Sequence, residues 1–118
     1  MSTHDIARDL VNLCKQGKFA EAGEKYWADN VLSVEPMGDN AEIRGKAAVR
    51  KKGEGWESAH TVHSAVVEGP YVNGEQFVVR FKIDMTEKAS GKRQSMDEVG
   101  LYTIRGGKIA EERFFFGE

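Results

Sequence analysis

Residues 75–86, E-Q-F-V-V-R-F-K-I-D-M-T, alternate cleanly: Phe77, Val79, Phe81, Ile83 and Met85 point one way, Arg80, Lys82 and Asp84 the other. A period of two is the signature of a strand with one face in a core and one in water. Such a strand needs partners, and the neighbouring segments supply them. T-V-H-S-A-V-V-E reads as a strand before it, with G-P-Y-V-N-G as the intervening turn. After it, the charged tip E-K-A-S-G-K-R leads into Q-S-M-D-E-V-G-L-Y-T-I-R, and the tight turn R-G-G-K into I-A-E-E-R-F-F-F. Everything from Thr61 onward is therefore a series of hairpins.

The first half of the chain has a different period. Ser2 and Asp5 form a capping box ahead of Ile6, Leu10, Leu13 and Cys14, which share one helical face, and Gly17 is a fitting left-handed stop. Phe19, Ala22, Gly23, Tyr26 and Trp27 mark a second short helix up to Ala28. A strand follows over Val31 to Glu35, ended by Pro36, which cannot donate to a ladder. M-G-D-N-A-E-I-R-G reads as a loop, and G-K-A-A-V-R-K-K-G-E-G-W-E-S-A as a third helix. Gly53 and Gly55 weaken that helix by roughly 1 kcal/mol each, or leave room for another element or a ligand. The order α-α-β-α-β-β-β-β predicts an α+β domain, a strongly bent antiparallel sheet packed against three N-terminal helices.

Size and charge narrow the function classes. The 118 residues suit a single domain over 1–118, and a net charge of −2 without a Lys/Arg face argues against nucleic acid. No apolar run approaches the ~20 residues of a membrane span. M-S-T-H-D-I-A-R-D-L interrupts its apolar pattern with charges, unlike a secretory signal, so cytoplasm is the expected compartment. The lone Cys14 excludes an internal disulfide and any multi-cysteine metal site.

With these elements in order, the chain resembles the SnoaL-like, or nuclear-transport-factor-two-like, superfamily, which includes polyketide cyclases and ketosteroid isomerase. The resemblance rests on Y-W-A-D-N closing the helical hairpin, V-E-P-M-G closing the first strand, I-R-G-K-A-A-V-R opening the third helix, and the terminal hairpin L-Y-T-I-R-G-G-K-I-A-E-E-R-F-F-F. It implies a cone around an apolar pocket for a small apolar or semi-polar ligand, no cofactor, and a homodimer formed through the sheet. It also puts Glu35 where the isomerase carries its general base. A carboxylate at the mouth of an apolar pocket, short of solvation, becomes an effective proton acceptor. By the same resemblance the isomerase's two oxyanion donors fall on Leu10 and on Gly100 or, with a one-residue slip, Val99. None of these donates a side-chain hydrogen bond, a loss of roughly 3 kcal/mol per missing donor. Steroid isomerisation by that route is not expected.

The residues offer further candidates. Alternation puts Glu98 on the face of Gly100, Tyr102 and Ile104, so an inward Tyr102 brings Glu98 inward. Phe114 and Phe116 match pocket-facing positions of the isomerase, and Glu112 shares their face. Two inward acids on adjacent strands can share a proton. His60 and His63, three apart, face opposite sides of a strand and converge on a metal only if His60 ends the helix. His63 alone remains an acid–base or hydrogen-bonding candidate. Trp27, Met37, Trp56, Phe81, Met85, Tyr102 and Phe114 are the candidate ligand contacts, with Met37 and Trp56 placed to lid a cavity. These residues compose either a metal-free acid–base enzyme with catalytic Glu35, Glu98, Glu112 and His63, or a non-catalytic binding or dimerisation domain.

Overall fold

A computed structural model describes residues 1–38 and 41–116. Helices α1 (Thr3–Lys15) and α2 (Phe19–Tyr26) precede strands β1 (Trp27–Val34) and β2 (Glu42–Arg44). Helix α3 (Lys46–Ala59) then leads into β3 (His60–Asn73), β4 (Gln76–Glu87), β5 (Arg93–Arg105) and β6 (Lys108–Phe116). The six strands form one open sheet in the order β2-β1-β6-β5-β4-β3. The α+β class and the helices-before-hairpins order are those predicted from the sequence.

Local chemistry sets the boundaries. Ser2 Oγ accepts from the Asp5 amide at 3.1 Å while the Asp5 carboxylate accepts from the Ser2 amide at 3.3 Å, closing the predicted capping box. Ile6, Ala7, Leu10, Val11 and Cys14 are the buried face of α1, which packs on β3 and β4. Gly17, at φ +77°, turns the chain into α2. One end of the core is solid: Phe77, Val79, Ile6 and Ile109 are essentially sealed, and Phe77 stacks on Tyr102 at 5.0 Å between ring centroids.

Four features depart from the sequence reading. The sheet is mixed, because β1 runs parallel to β6; no hairpin links these strands, so nothing local forces them antiparallel. Residues 42–44, read as loop, add β2 to the edge of β1, a strand too short to show a period; positions 39–40 of that loop lie outside the described residues. Trp27 begins β1 rather than ending α2. Finally, G-P-Y-V-N-G is not a turn. Strand β3 runs through Gly69 and Pro70 to Asn73 with a register shift between Glu68 and Tyr71, and only Gly74 and Glu75 turn. Proline is tolerated there because β3 is an edge strand and the break is a bulge.

The outward face of β4 is charged as predicted. Arg80 pairs with Asp97 and Asp84 with Arg93, each at 2.6 Å, and Lys82 lies 3.5 Å from Glu68. These ladders pin the register of β3, β4 and β5.

Candidate functional site

Between the helices and the inner face of the sheet lies a cavity of about 570 Å³. Its position follows from two periodicities. On α3, Val49, Lys52, Gly53 and Trp56 recur at three- and four-residue spacing and all line the cavity. On the sheet, alternation brings Phe81 and Ile83 of β4, Glu98 and Tyr102 of β5, and Glu112, Phe114 and Phe116 of β6 to the same wall. Val31, Ser33 and Glu35 alternate in the same way along β1 and just beyond it. A Cβ added at Gly53 would meet no protein atom within 4 Å, so this glycine accommodates no neighbouring element and instead widens the hollow.

The polar groups of this wall form one connected chain. Lys52 Nζ donates to Ser33 Oγ at 2.6 Å and to Glu35 Oε1 at 2.9 Å. Ser33, fully buried, passes its own hydroxyl proton toward Glu112 Oε2 at 2.8 Å. The second oxygen of Glu112 accepts the indole N–H of Trp27 at 2.7 Å. Trp27 holds this position because its ring lies against Gly23 of α2, where any side chain would overlap it. Lys52 uses two of its three donors in this network and stands 5.6 Å from the Phe114 ring centroid.

Glu98 is different. Among the described residues its carboxyl makes no hydrogen bond and no ion pair. Burial, and secondarily the Glu35 charge, pushes its pKa up to about 7; Lys52 opposes this and Glu112 adds to it. Burial also raises Glu112, restrained by the bonds from Trp27 and Ser33 and by the Lys52 charge. The Tyr102 phenol is held well above its ordinary value, first by burial and then by the Glu112 charge, so it remains a donor. Cys14, also on the wall, is pushed up to about 12 by burial and Glu112 and is an inert thiol at neutral pH.

The candidate residues therefore divide. Glu35, Glu98, Glu112, Trp27, Trp56, Phe81, Tyr102 and Phe114 all line the cavity. His63 does not: a bulge between Val62 and Ser64 turns it to the outer face, where its Nε2 lies 2.7 Å from Thr86 Oγ1. Met37 does not lid the cavity; it follows Pro36 beyond the end of β1 and is 60% exposed. Met85 sits past Ile83 on β4 and is packed into the core rather than along the hollow. His60 does end the helix, yet the two histidines stay apart. Its ring stacks on Trp56 at 4.5 Å and its Nδ1 lies 2.8 Å from the Trp56 carbonyl oxygen. Among the described residues no three His, Cys, Asp or Glu side chains gather as a metal site.

Two members of the network escape the motif-based reading. Ser33 shares the face of Val31 and Glu35 by simple alternation. Lys52 was legible as the one cation on the Val49–Trp56 stripe of α3. Its ammonium brings a side-chain donor to this wall. Gly100 has a separate use: the Tyr102 and Phe114 rings lie so close that a Cβ there would be 3.0 Å and 3.2 Å from them.

The sequence profile of the SnoaL-like domain matches residues 1–116. No curated protein matches the chain. A solved structure from Mesorhizobium loti, assigned as a SnoaL-like polyketide cyclase with carbohydrate phosphatase as a second designation, is 54% identical. It superposes with a TM-score of 0.94 over 98% of this chain and 99% of that one. A Bacillus subtilis protein assigned as an isomerase has a TM-score of 0.79 at 17% identity, covering 99% and 90% of the two chains. An NTF2-like protein of unknown function from Burkholderia pseudomallei has a TM-score of 0.78 at 15% identity, covering 99% and 92%. The last two likenesses establish the fold alone. With the profile spanning almost the whole chain, and a solved relative sharing over half its residues, the protein belongs to the SnoaL-like family.

Proposed function

We propose that the cavity performs isomerase- or cyclase-type acid–base chemistry on a small, largely apolar molecule bearing a carbonyl group. The observation that carries this reading is Glu98: a carboxyl in an apolar hollow, free of partners among the described residues and balanced near neutrality. A group with that balance both takes and returns a proton at neutral pH. Glu35, fixed by Lys52, supplies the negative charge that helps hold the proton on Glu98. The remaining donor of Lys52 supports an oxyanion developing on the substrate. Glu35 as the base with Glu98 as the acid is the alternative assignment, supported by the Glu35 Oε2 atom, which accepts no hydrogen bond among the described residues.

Exchange of solvent deuterium into an enolisable ketone such as cyclohex-2-enone, followed by NMR, tests the proposal. The protein is expected to accelerate exchange, with a rate rising through about pH 7 as Glu98 ionises, because the carboxylate accepts the proton. Glu98→Gln is expected to lower the rate by ~10²–10⁴-fold. A rate that falls through the same range assigns Glu98 as the acid and Glu35 as the base. No acceleration over buffer removes the catalytic reading.

A non-catalytic assembly role is favoured by one feature. Val66, Tyr71 and Phe115 are each at least half exposed, and by register they stand on the outer face of the sheet. If that face joins two copies, light scattering gives twice the 13.1 kDa chain mass, and Phe115→Lys gives the monomer. A monomeric wild-type protein discards the interface.

A further inference from the structure

The cavity wall carries more negative charge than its cation offsets. Its charged and titratable groups are Glu35 after β1, Lys52 and Glu57 of α3, Glu98 and Tyr102 of β5, Glu112 of β6 and Cys14 of α1; α2, β3 and β4 present only uncharged, non-titrating residues. Lys52 spends two of its three donors on Ser33 and Glu35, and both Glu112 oxygens are occupied. Glu98 is left with neither a contact ion pair nor a hydrogen bond among the described residues, and feels the Lys52 charge only at a distance.

A second group is also without a partner. Tyr102 is only 6% exposed, yet its hydroxyl makes no hydrogen bond within the described protein. Among the described residues no fully enclosed side-chain nitrogen or oxygen lacks a partner, so this hydroxyl opens onto the cavity that Tyr102 lines. Around the two groups stand Trp56, Phe81, Phe114 and Phe116. Aromatic faces attract cations, and the wall already holds the Lys52 ammonium near Phe114.

These features select by charge. An anionic ligand would be repelled by the excess carboxylates, and a pure hydrocarbon would strand both Glu98 and Tyr102. We infer that the cavity takes an organic cation: a small alkylated amine whose apolar substituents contact the aromatic wall, whose charge stands against Glu98, and whose neighbouring oxygen function meets the Tyr102 hydroxyl. This names the substrate class of the site proposed above and rests on that reading. A cation beside Glu98 favours its carboxylate form, so binding near neutrality expels the proton that Glu98 holds.

Isothermal titration calorimetry with two shape-matched probes decides the matter: choline, and its uncharged carbon analogue 3,3-dimethylbutan-1-ol. The expected result is about tenfold tighter binding of choline, with proton release revealed by heats that vary with the buffer's ionisation enthalpy. Glu98→Gln abolishes both the preference and the release, and Tyr102→Phe weakens both probes alike, since both carry the hydroxyl. Equal binding of the two probes to the wild-type protein overturns the inference while leaving the cavity as an apolar ligand site. A preference that persists undiminished in folded Glu98→Gln, or choline binding without proton release, overturns it as well. Binding of neither probe overturns the inference as well, and leaves the reading it rests on to the exchange experiment above. If Glu98→Gln does not fold, the wild-type preference and proton release still decide.

Discussion

Raising the pH from about 5 to about 8 is expected to lower the stability of the wild-type protein by roughly 2–3 kcal/mol through Glu98. In the unfolded chain this carboxyl ionises near its ordinary 4.5, in the folded protein at about 7. Between those values the folded state keeps a proton that the unfolded state has lost, so rising pH favours unfolding. The contribution is fully present below the lower value and is lost as pH climbs through the upper one. Glu112, also raised by burial, acts in the same direction. Urea unfolding at the two pH values, in wild type and Glu98→Gln, measures the effect. The variant is expected to lose the share due to Glu98 and keep the Glu112-derived dependence. An identical pH dependence in both proteins would show that Glu98 is solvated, and the acid–base proposal would lose its foundation.

Lys52→Met is expected to destabilise the protein by about 2–4 kcal/mol near pH 8 and by clearly less near pH 5. Methionine keeps the aliphatic stem along Phe114 but removes the ammonium. Glu35 then loses its partner at 2.9 Å, Ser33 loses its donor at 2.6 Å, and Glu35, Glu57, Glu98 and Glu112 share the wall without a cation. The Lys52 and Glu35 side chains are 25% and 29% exposed, which places the cost at the lower end for a broken buried pair. At acid pH the carboxyls take up protons and the repulsion fades, which gives the effect its direction. Losing Lys52 also removes a charge that lowers the Glu98 and Glu112 values, so both rise further. Adding Glu35→Gln to Lys52→Met should recover part of the loss at pH 8. A loss of equal size at both pH values would mean that Lys52 acts through packing alone.

Period-two patterns are what sequence reveals best, and they carried much of the site. Glu98 and Glu112 were legible as inward because they share faces with Tyr102 and Phe114, and the register of β4, β5 and β6 keeps them there. Alternation could not orient His63, because a bulge reverses the face there and leaves no mark in residue type. It failed at G-P-Y-V-N-G, where a glycine–proline pair breaks register without ending the strand. Glu35 was visible as an acid in an apolar run, but its partner came from α3, 17 residues on. In that helix the three- and four-residue spacing of Val49, Lys52 and Trp56 turns Lys52 inward. The parallel pairing of β1 with β6 joins segments far apart in the chain, and no local pattern encodes it.

That pairing governs when the site comes into being. Trp27 and Ser33 wait on β1 for a carboxylate that is 79 residues downstream of Ser33, on the strand that must slot between β1 and β5. During synthesis the helices and early hairpins emerge first, and the buried acid arrives only with β6. Nascent chains therefore carry an unlocked indole and hydroxyl but no closed cavity. Closure of this long-range pair is a slow, entropically costly event, and the buried polar network should lock in with it rather than grow by degrees.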